Sequence, residues 1–290
     1  MKLTSLNSTQ AHISFELFPP KNLEAEKSLY HHLESLIQLN PAFFSVTMGA
    51  MGSNKGNTLQ IVHQIESKYQ IPGVAHLTCV NATRDNILEI IEELRSLNIT
   101  NLLCLRGDPP LGHENFTPPK NGFRYANELV SFVRENTGDE FTLGVAGYPE
   151  GHIESPSLQT DLQNLKIKID SGADFIITQL FFDNNDFFRY ADEVQKIKPH
   201  LPLLPGIMPI SGLKQLERFI KVCGAKIPKA VSEHLEKIKN DSLAIKQFGV
   251  DYAAQQSRNL IENGFKQLHF YTLNQSEMVT KIYNQIQDLL

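Results

Sequence analysis

What this chain lacks narrows it first. No apolar run approaches the about 18 residues of a membrane span. The N-terminus, M-K-L-T-S-L-N-S-T-Q, has no apolar signal segment, so a cytoplasmic location and no membrane partner are expected. Basic residues do not outnumber acidic ones: 27 against 32, a net charge of −5, which argues against a nucleic-acid partner. Only three cysteines occur, Cys79, Cys104 and Cys223, with no C-x-x-C spacing; they read as reduced core thiols. G-x-G-x-x-G is absent, and Gly107–Gly112 has the spacing of a phosphate loop but is followed by His113 instead of lysine. There is no G-x-S-x-G elbow, and neither H-x-H nor H-E-x-x-H spacing for a metal. No linker, low-complexity tract or composition break divides the 290 residues. They read as a single domain, 1–290, with 1–11 polar and frayed.

What is present is a regular alternation. Strand-like apolar runs fall at 12–18, 43–47, 74–79, 101–105, 142–147, 175–179, 203–207 and 267–271. Between them lie helical spacings at 23–39, 58–68, 84–97, 125–136, 158–171, 186–197 and 213–223. Two more helices, 229–239 and 242–263, precede the last strand, and 276–289 closes the chain. Thr83 is placed to cap the helix at 84, and Gly172 to end the one at 158. Eight strands alternating with helices over this length predict an α/β (β/α)8 TIM barrel with extra helices between strands seven and eight. A doubly wound open sheet is the alternative, and the missing dinucleotide fingerprint counts against it.

Barrel enzymes do their chemistry at the C-terminal ends of the strands. Those ends carry Glu16, Thr47, His76, Asp108, Tyr148 and Gln179. Glu16 sits among aromatics in F-E-L-F. It is either a wet rim carboxylate or a general acid whose charged form is disfavoured by apolar surroundings. Asp108 closes a buried strand that ends Arg-Gly-Asp before two prolines; it is either a loop carboxylate or a ligand-facing charge. His76 and His152 are either satisfied structural histidines or ligand contacts. On the helix at 158–171, Asp161, Asn164 and Lys168 share one face, which is either solvated or turned toward ribose and phosphate. Glu16, His76, Asp108 and His152 could also ligate a metal, giving a metal-dependent lyase or hydrolase as a competing reading.

The order of motifs then resembles the methylenetetrahydrofolate reductase family over about 13–282. The motifs are S-F-E-L-F-P-P-K at 14–21, S-V-T-M-G-A at 45–50, H-L-T-C at 76–79, L-R-G-D-P-P at 105–110 and Y-P-E-G-H at 148–152. D-L-Q-N-L-K-I-K at 161–168, I-T-Q-L-F-F-D at 177–183, P-G-I-M-P-I at 205–210 and H-F-Y-T-L-N at 269–274 follow. The resemblance implies a barrel that binds FAD without a Rossmann motif and no metal. It implies a ping-pong reaction in which NADH or NADPH reduces the flavin and methylenetetrahydrofolate is then reduced to 5-methyltetrahydrofolate. By position, Glu16 matches the general acid and Asp108 the carboxylate beside flavin and pterin. Thr47, Gln179, Gln215, Phe219 and Gln275, with Asp108, match substrate-binding positions. Ala50, His76, Arg106, Gly107, Asp108, Tyr125, Ala126, Tyr148, His152, Asp161, Asn164 and Lys168 match flavin-binding positions. Homo-oligomers are usual in the family.

Three residues depart from the family pattern. Ile167 stands where arginine often lies near the adenosine side of the flavin, Gln275 where arginine often meets the folate tail, and Met48 where tyrosine is common. The chain ends at Leu290, after the closing helix, so inhibition by S-adenosylmethionine through an added C-terminal domain is not expected. A non-catalytic folate- or flavin-binding protein is a further alternative.

Overall fold

The computed structural model describes residues 1–3, 6, 8–48, 55–108 and 116–290. Nine parallel strands form one sheet: β1 (His12–Leu17), β2 (Phe44–Val46), β3 (Gly73–Thr78), β4 (Asn101–Leu105), β5 (Thr142–Gly147), β6 (Phe175–Thr178), β7 (Leu203–Leu204), β8 (Gly206–Ile207) and β9 (Gln267–Tyr271). They run in the order β7-β6-β5-β4-β3-β2-β1-β9-β8. β7 pairs with β6 and β8 with β9, so these short pieces are two halves of one stave and the barrel closes through them. The sequence predicts one continuous strand here. Pro205 interrupts it because proline has no N–H for the ladder; its carbonyl still accepts from His269 N at 3.0 Å. The result is the expected eight-staved barrel.

Ten helices surround it among the described residues: α1 (Leu23–Ile37), α2 (Lys55–Tyr69), α3 (Arg84–Ser96), α4 (Ala126–Thr137), α5 (Leu158–Asp170), α6 (Asn184–Ile197), α7 (Leu213–Cys223), α8 (Lys229–Ile238), α9 (Ser242–Glu262) and α10 (Glu277–Ile286). Their starts follow local chemistry. The Thr83 hydroxyl accepts from Asn86 N, and Asn86 reaches back to Thr83 N, a closed capping box. Ser157 and Asp241 cap α5 and α9 with a side-chain oxygen that accepts from backbone N–H groups of the first turn. One core lies between sheet and helices, with Phe15, Phe44, Leu102, Val145, Ile176 and Phe270 on the strands' outer faces.

The lumen has its own filling. Phe43, Val74, Leu103, Phe175, Ile177 and Leu204 pack at its lower end together with Leu3 and Leu6. The polar N-terminal segment thus has apolar anchors that its composition hides. Leu3 N donates to Asn101 Oδ1 at 3.2 Å, and the Met1 ammonium meets Glu66 at 2.9 Å. At the opposite end the extra helices make a small second core. Leu216, Val231, Leu235 and Ile245 pack on Leu180, Phe182, Met208 and Ile210, which follow β6 and β8. A Cβ at Gly249 would lie 2.0 Å from the Ile210 carbonyl oxygen, so only glycine lets α9 cross there. This packing holds α7 beside the barrel mouth.

Candidate active site

Parallel strands project alternate residues into the lumen. In β1 these are Ser14 and Glu16, in β3 His76, and in β9 His269 and Tyr271. Glu16 pairs in register with Ser45 on one side and Tyr271 on the other. It is 8% exposed. Burial pushes its carboxyl up to about 8, from 4.5, because the charged form loses its water and gains no strong partner. Its nearest ionisable neighbour is His76, with Nε2 3.7 Å from Oε2. Burial pushes His76 the other way, to about 3. At neutral pH the pair is therefore a protonated acid beside a neutral imidazole. His76 Nε2 is buried without a hydrogen-bond partner among the described residues.

Below this pair lies a polar layer that the sequence reading did not single out. His269 is fully buried, with Ser14 Oγ 2.8 Å from Nδ1 and Ser45 Oγ 3.2 Å from Nε2. Its ring stacks on Phe43 at 5.6 Å and meets the edge of Tyr271 at 5.6 Å. Burial, then the neighbouring His76, hold it down to about 3. The Tyr271 hydroxyl donates to the Thr178 carbonyl at 2.6 Å. The signal for these residues was present: His269 and Tyr271 alternate inward with the apolar Leu268 and Phe270, and both lie within the H-F-Y-T-L-N motif.

Beside the mouth, between the ends of β4 and β5 and the face of α5, is a cavity of about 470 Å³, within the usual range for small-molecule sites. Arg106, Tyr125, Ala126, Tyr148, His152, Asp161, Asn164 and Lys168 all line it. The structure therefore gathers eight of the predicted flavin positions in one place. Lys168 Nζ donates to the Ala146 carbonyl at 2.5 Å and lies 5.3 Å from the centre of the Tyr148 ring. Burial lowers it to about 8, against the upward pull of Asp161. Among the described residues it makes no ion pair within 4 Å, and a desolvated ammonium without a counter-ion, facing a cavity, is a place for an anion. Asp161 is buried and accepts from Ser155 Oγ at 2.9 Å. Tyr148 and His152 meet edge to face at 4.7 Å, and burial, then Arg106, lower His152. Arg106 is gripped by Glu154, a residue the sequence reading did not single out. Two cations, a carboxylate able to take sugar hydroxyls, and the half-exposed Tyr125 ring at the rim suit a ligand with phosphate, ribose and flat ring parts. FAD fits that description.

The other predicted positions are distributed around the mouth. Gly107 adopts φ 82°, and a Cβ there would lie 2.6 Å from Val80. Asp108 follows at the surface, and its charge is felt at Arg106, Tyr148 and Cys223. Thr47 lies one residue past β2, and its carbonyl accepts from Thr58 Oγ1 at 2.9 Å. Gln179 follows β6, its side chain turned onto Leu180 N at 3.0 Å. Gln215 and Phe219 sit on α7; Gln215 Oε1 takes the Ser211 N–H and hydroxyl, each at 2.8 Å. Gln275 is exposed beyond β9. Met48 Sδ accepts from Thr78 Oγ1 at 3.6 Å. Ile167 is 49% exposed at the cavity rim. Ala50 lies outside the described residues. Among the described residues no three His, Cys, Asp or Glu side chains come together as metal ligands. His152 lines the cavity, whereas Glu16 and His76 meet in the lumen. No described helix is long and apolar enough to cross a membrane.

Comparison with known proteins bears on the fold and the family. A solved structure described as an uncharacterized protein from Clostridium thermocellum that binds two copies of 5-methyl-5,6,7,8-tetrahydrofolic acid shares the fold, with a TM-score of 0.60 over 98% of this chain and 96% of that one at 15% identity. Methylenetetrahydrofolate reductase (NADH) 1 of Arabidopsis thaliana is 39% identical over 91% of this chain, which spans only 46% of the plant protein. The chain thus spans about half the length of the plant relatives it matches. The 5,10-methylenetetrahydrofolate reductase of Salmonella typhimurium is 36% identical over 93% of this chain and 88% of its own. The family profile described as methylenetetrahydrofolate reductase matches residues 2–287, and the chain belongs to that family.

Proposed function

We propose that this protein reduces 5,10-methylenetetrahydrofolate to 5-methyltetrahydrofolate with a nicotinamide donor, with FAD held in the cavity beside the barrel mouth. The observation that carries the reading is the presence of two unlike sites on the C-terminal side of one barrel. One is a buried carboxyl that keeps its proton at neutral pH; the other is a charged cavity that suits a phosphate-bearing cofactor. The flavin would supply hydride transfer, accepted from one substrate and passed to the next in two half-reactions. The chain supplies the rest. Glu16 holds a proton at its carboxyl and delivers it to the folate, which opens the methylene bridge. His76, neutral and 3.7 Å away, does not take that proton first. Asp108 places negative charge where a cationic folate would sit. Gln179, Thr47 and Gln215 offer neutral hydrogen-bonding groups around the mouth, and Phe219 an apolar face. Lys168 and Arg106 meet the phosphates, and Asp161 a ribose. NADH as donor is supported by the plant relatives' name.

The test is the visible spectrum of the purified full chain, reconstituted with FAD and kept free of oxygen. Flavin absorbance should bleach with NADH and return with methylenetetrahydrofolate. Glu16→Gln should leave the bleaching largely intact and abolish the return. A protein that neither holds flavin nor bleaches would refute the reading. A Glu16→Gln variant that reoxidises as fast as wild type would remove Glu16 from its role.

A further inference from the structure

Four charged side chains line the cavity: Arg106 and Lys168 against Glu154 and Asp161. Among the described residues Lys168 has no ion pair, but Arg106 does. Arg106 Nη1 donates to Glu154 Oε2 at 2.5 Å and Nη2 to Glu154 Oε1 at 2.7 Å, while Nε donates to the Gly107 carbonyl at 3.3 Å. The fork that would grip a phosphate is thus already filled by a carboxylate of the same chain. The two partners are held unequally. The Arg106 side chain is 18% exposed and lies 5.5 Å from the centre of the Phe116 ring, whereas Glu154 is 53% exposed. Glu154 stands in a loop, fixed locally by its N–H donating to His152 Nδ1 at 3.1 Å. Its carboxylate can turn to water with little loss, whereas Arg106 is held in place. A pyrophosphate entering with Glu154 in place would meet two carboxylates that offset both cations. With Glu154 turned away, it meets two cations and one carboxylate.

We infer that Glu154 is a built-in counter-ion for Arg106 that a phosphate-bearing cofactor displaces, so that Glu154 weakens cofactor affinity. The inference rests on the flavin reading above. Asp161 differs, because its carboxylate is buried and tied to Ser155 instead of to either cation.

The test titrates the flavin-free full chain with FAD, and separately with riboflavin, which has no phosphate, following flavin fluorescence. Glu154→Gln keeps the side chain's shape and, at an exposed site, should lower the thermal unfolding midpoint only slightly. The Kd for FAD should fall about two- to fivefold, the range of a half-exposed ion pair relieved, while the Kd for riboflavin stays put. An unchanged or higher Kd for FAD would overturn the inference, the higher value marking Glu154 as a residue that aims Arg106. Equal tightening for riboflavin would overturn it too. If wild type binds FAD and only the response to Glu154→Gln is missing, this inference alone falls. If wild type binds no FAD, the flavin reading falls and takes the inference with it.

Discussion

Replacing Glu16 by glutamine should flatten the alkaline limb of the protein's stability. In the folded chain Glu16 keeps its proton up to about pH 8, whereas the unfolded chain releases it near 4.5. Between those values the folded state binds more protons, so stability falls as pH rises and levels off above about 8. Each pH unit in the window is worth about 1.4 kcal/mol, so the whole interval approaches 5 kcal/mol as an upper limit. From pH 5.5 to 9 the wild type should lose about 3 kcal/mol relative to the Glu16→Gln protein through this one group. Glutamine resembles the protonated acid in shape and carries no charge at any pH. The measurement is urea unfolding by circular dichroism for both proteins at pH 5.5, 7 and 9. The difference between their midpoints should favour the variant progressively from pH 5.5 to about 8 and level off above that. The two buried histidines are common to both proteins and cancel. A constant difference across the range would mean that Glu16 titrates as an ordinary carboxyl, and the argument that burial keeps it an acid would be refuted.

Further outcomes follow from neighbouring residues. Lys168→Met should raise the Kd for FAD about tenfold or more, and wild-type affinity should fall as pH climbs through about 8 while that of the variant stays flat; parallel pH profiles would remove Lys168 from the phosphate site. Ile167→Arg, at the exposed cavity rim, should tighten FAD severalfold in the same titration, and no change would place the phosphates away from residue 167. Gly206→Ala puts a Cβ 2.2 Å from the Thr178 carbonyl oxygen and 2.6 Å from the Tyr271 ring. It should cost about 2–3 kcal/mol in urea unfolding, and an unchanged midpoint would contradict the close approach. His76 and His269 stay neutral when folded down to about pH 3, against 6.5 for the unfolded chain. Stability they contribute is therefore lost as pH falls below about 6.5. His269→Gln should halve that acid limb, and an unaltered limb would show that His269 already protonates in the fold.

The barrel was legible because a strand buried on both faces must be apolar throughout, as Leu102–Cys104 and Phe175–Ile177 are. The surrounding helices must repeat at 3.6, as Ile87, Ile90, Ile91 and Leu94 do. Caps such as Thr83 fixed helix starts to within a residue or two. What stayed hidden depends on position more than on residue type. The break at Pro205 lies inside an apolar run and shows only in the pairing. Leu3 and Leu6 are isolated in a polar stretch, and only the barrel floor gives them a partner. The resemblance assembled most of the cavity, but Glu154 looked like any loop carboxylate until the fold set it against Arg106. Ser14, Ser45 and His269 lie far apart in sequence, and their contact is a product of barrel closure.

The lumen and the cavity handle charge in opposite ways, and one physical cause accounts for both. In the lumen, ionisable groups are surrounded by aromatic and aliphatic packing with no fixed counter-charge among the described residues. Each therefore adopts its neutral form: Glu16 protonated, His76 and His269 unprotonated. The lumen thus stores a proton without storing a charge. In the cavity, groups of both signs face one another, and Glu154 supplies a fixed counter-charge to the Arg106 guanidinium. Had His76 been solvated, it would ionise Glu16 and form an ion pair, and the acid would be lost before substrate arrived. Burying the histidine beside the carboxyl keeps the proton on oxygen, and the buried carboxylate form is correspondingly unstable above pH 8. The stability that Glu16→Gln would restore is therefore the same free energy that keeps Glu16 ready to protonate a ligand.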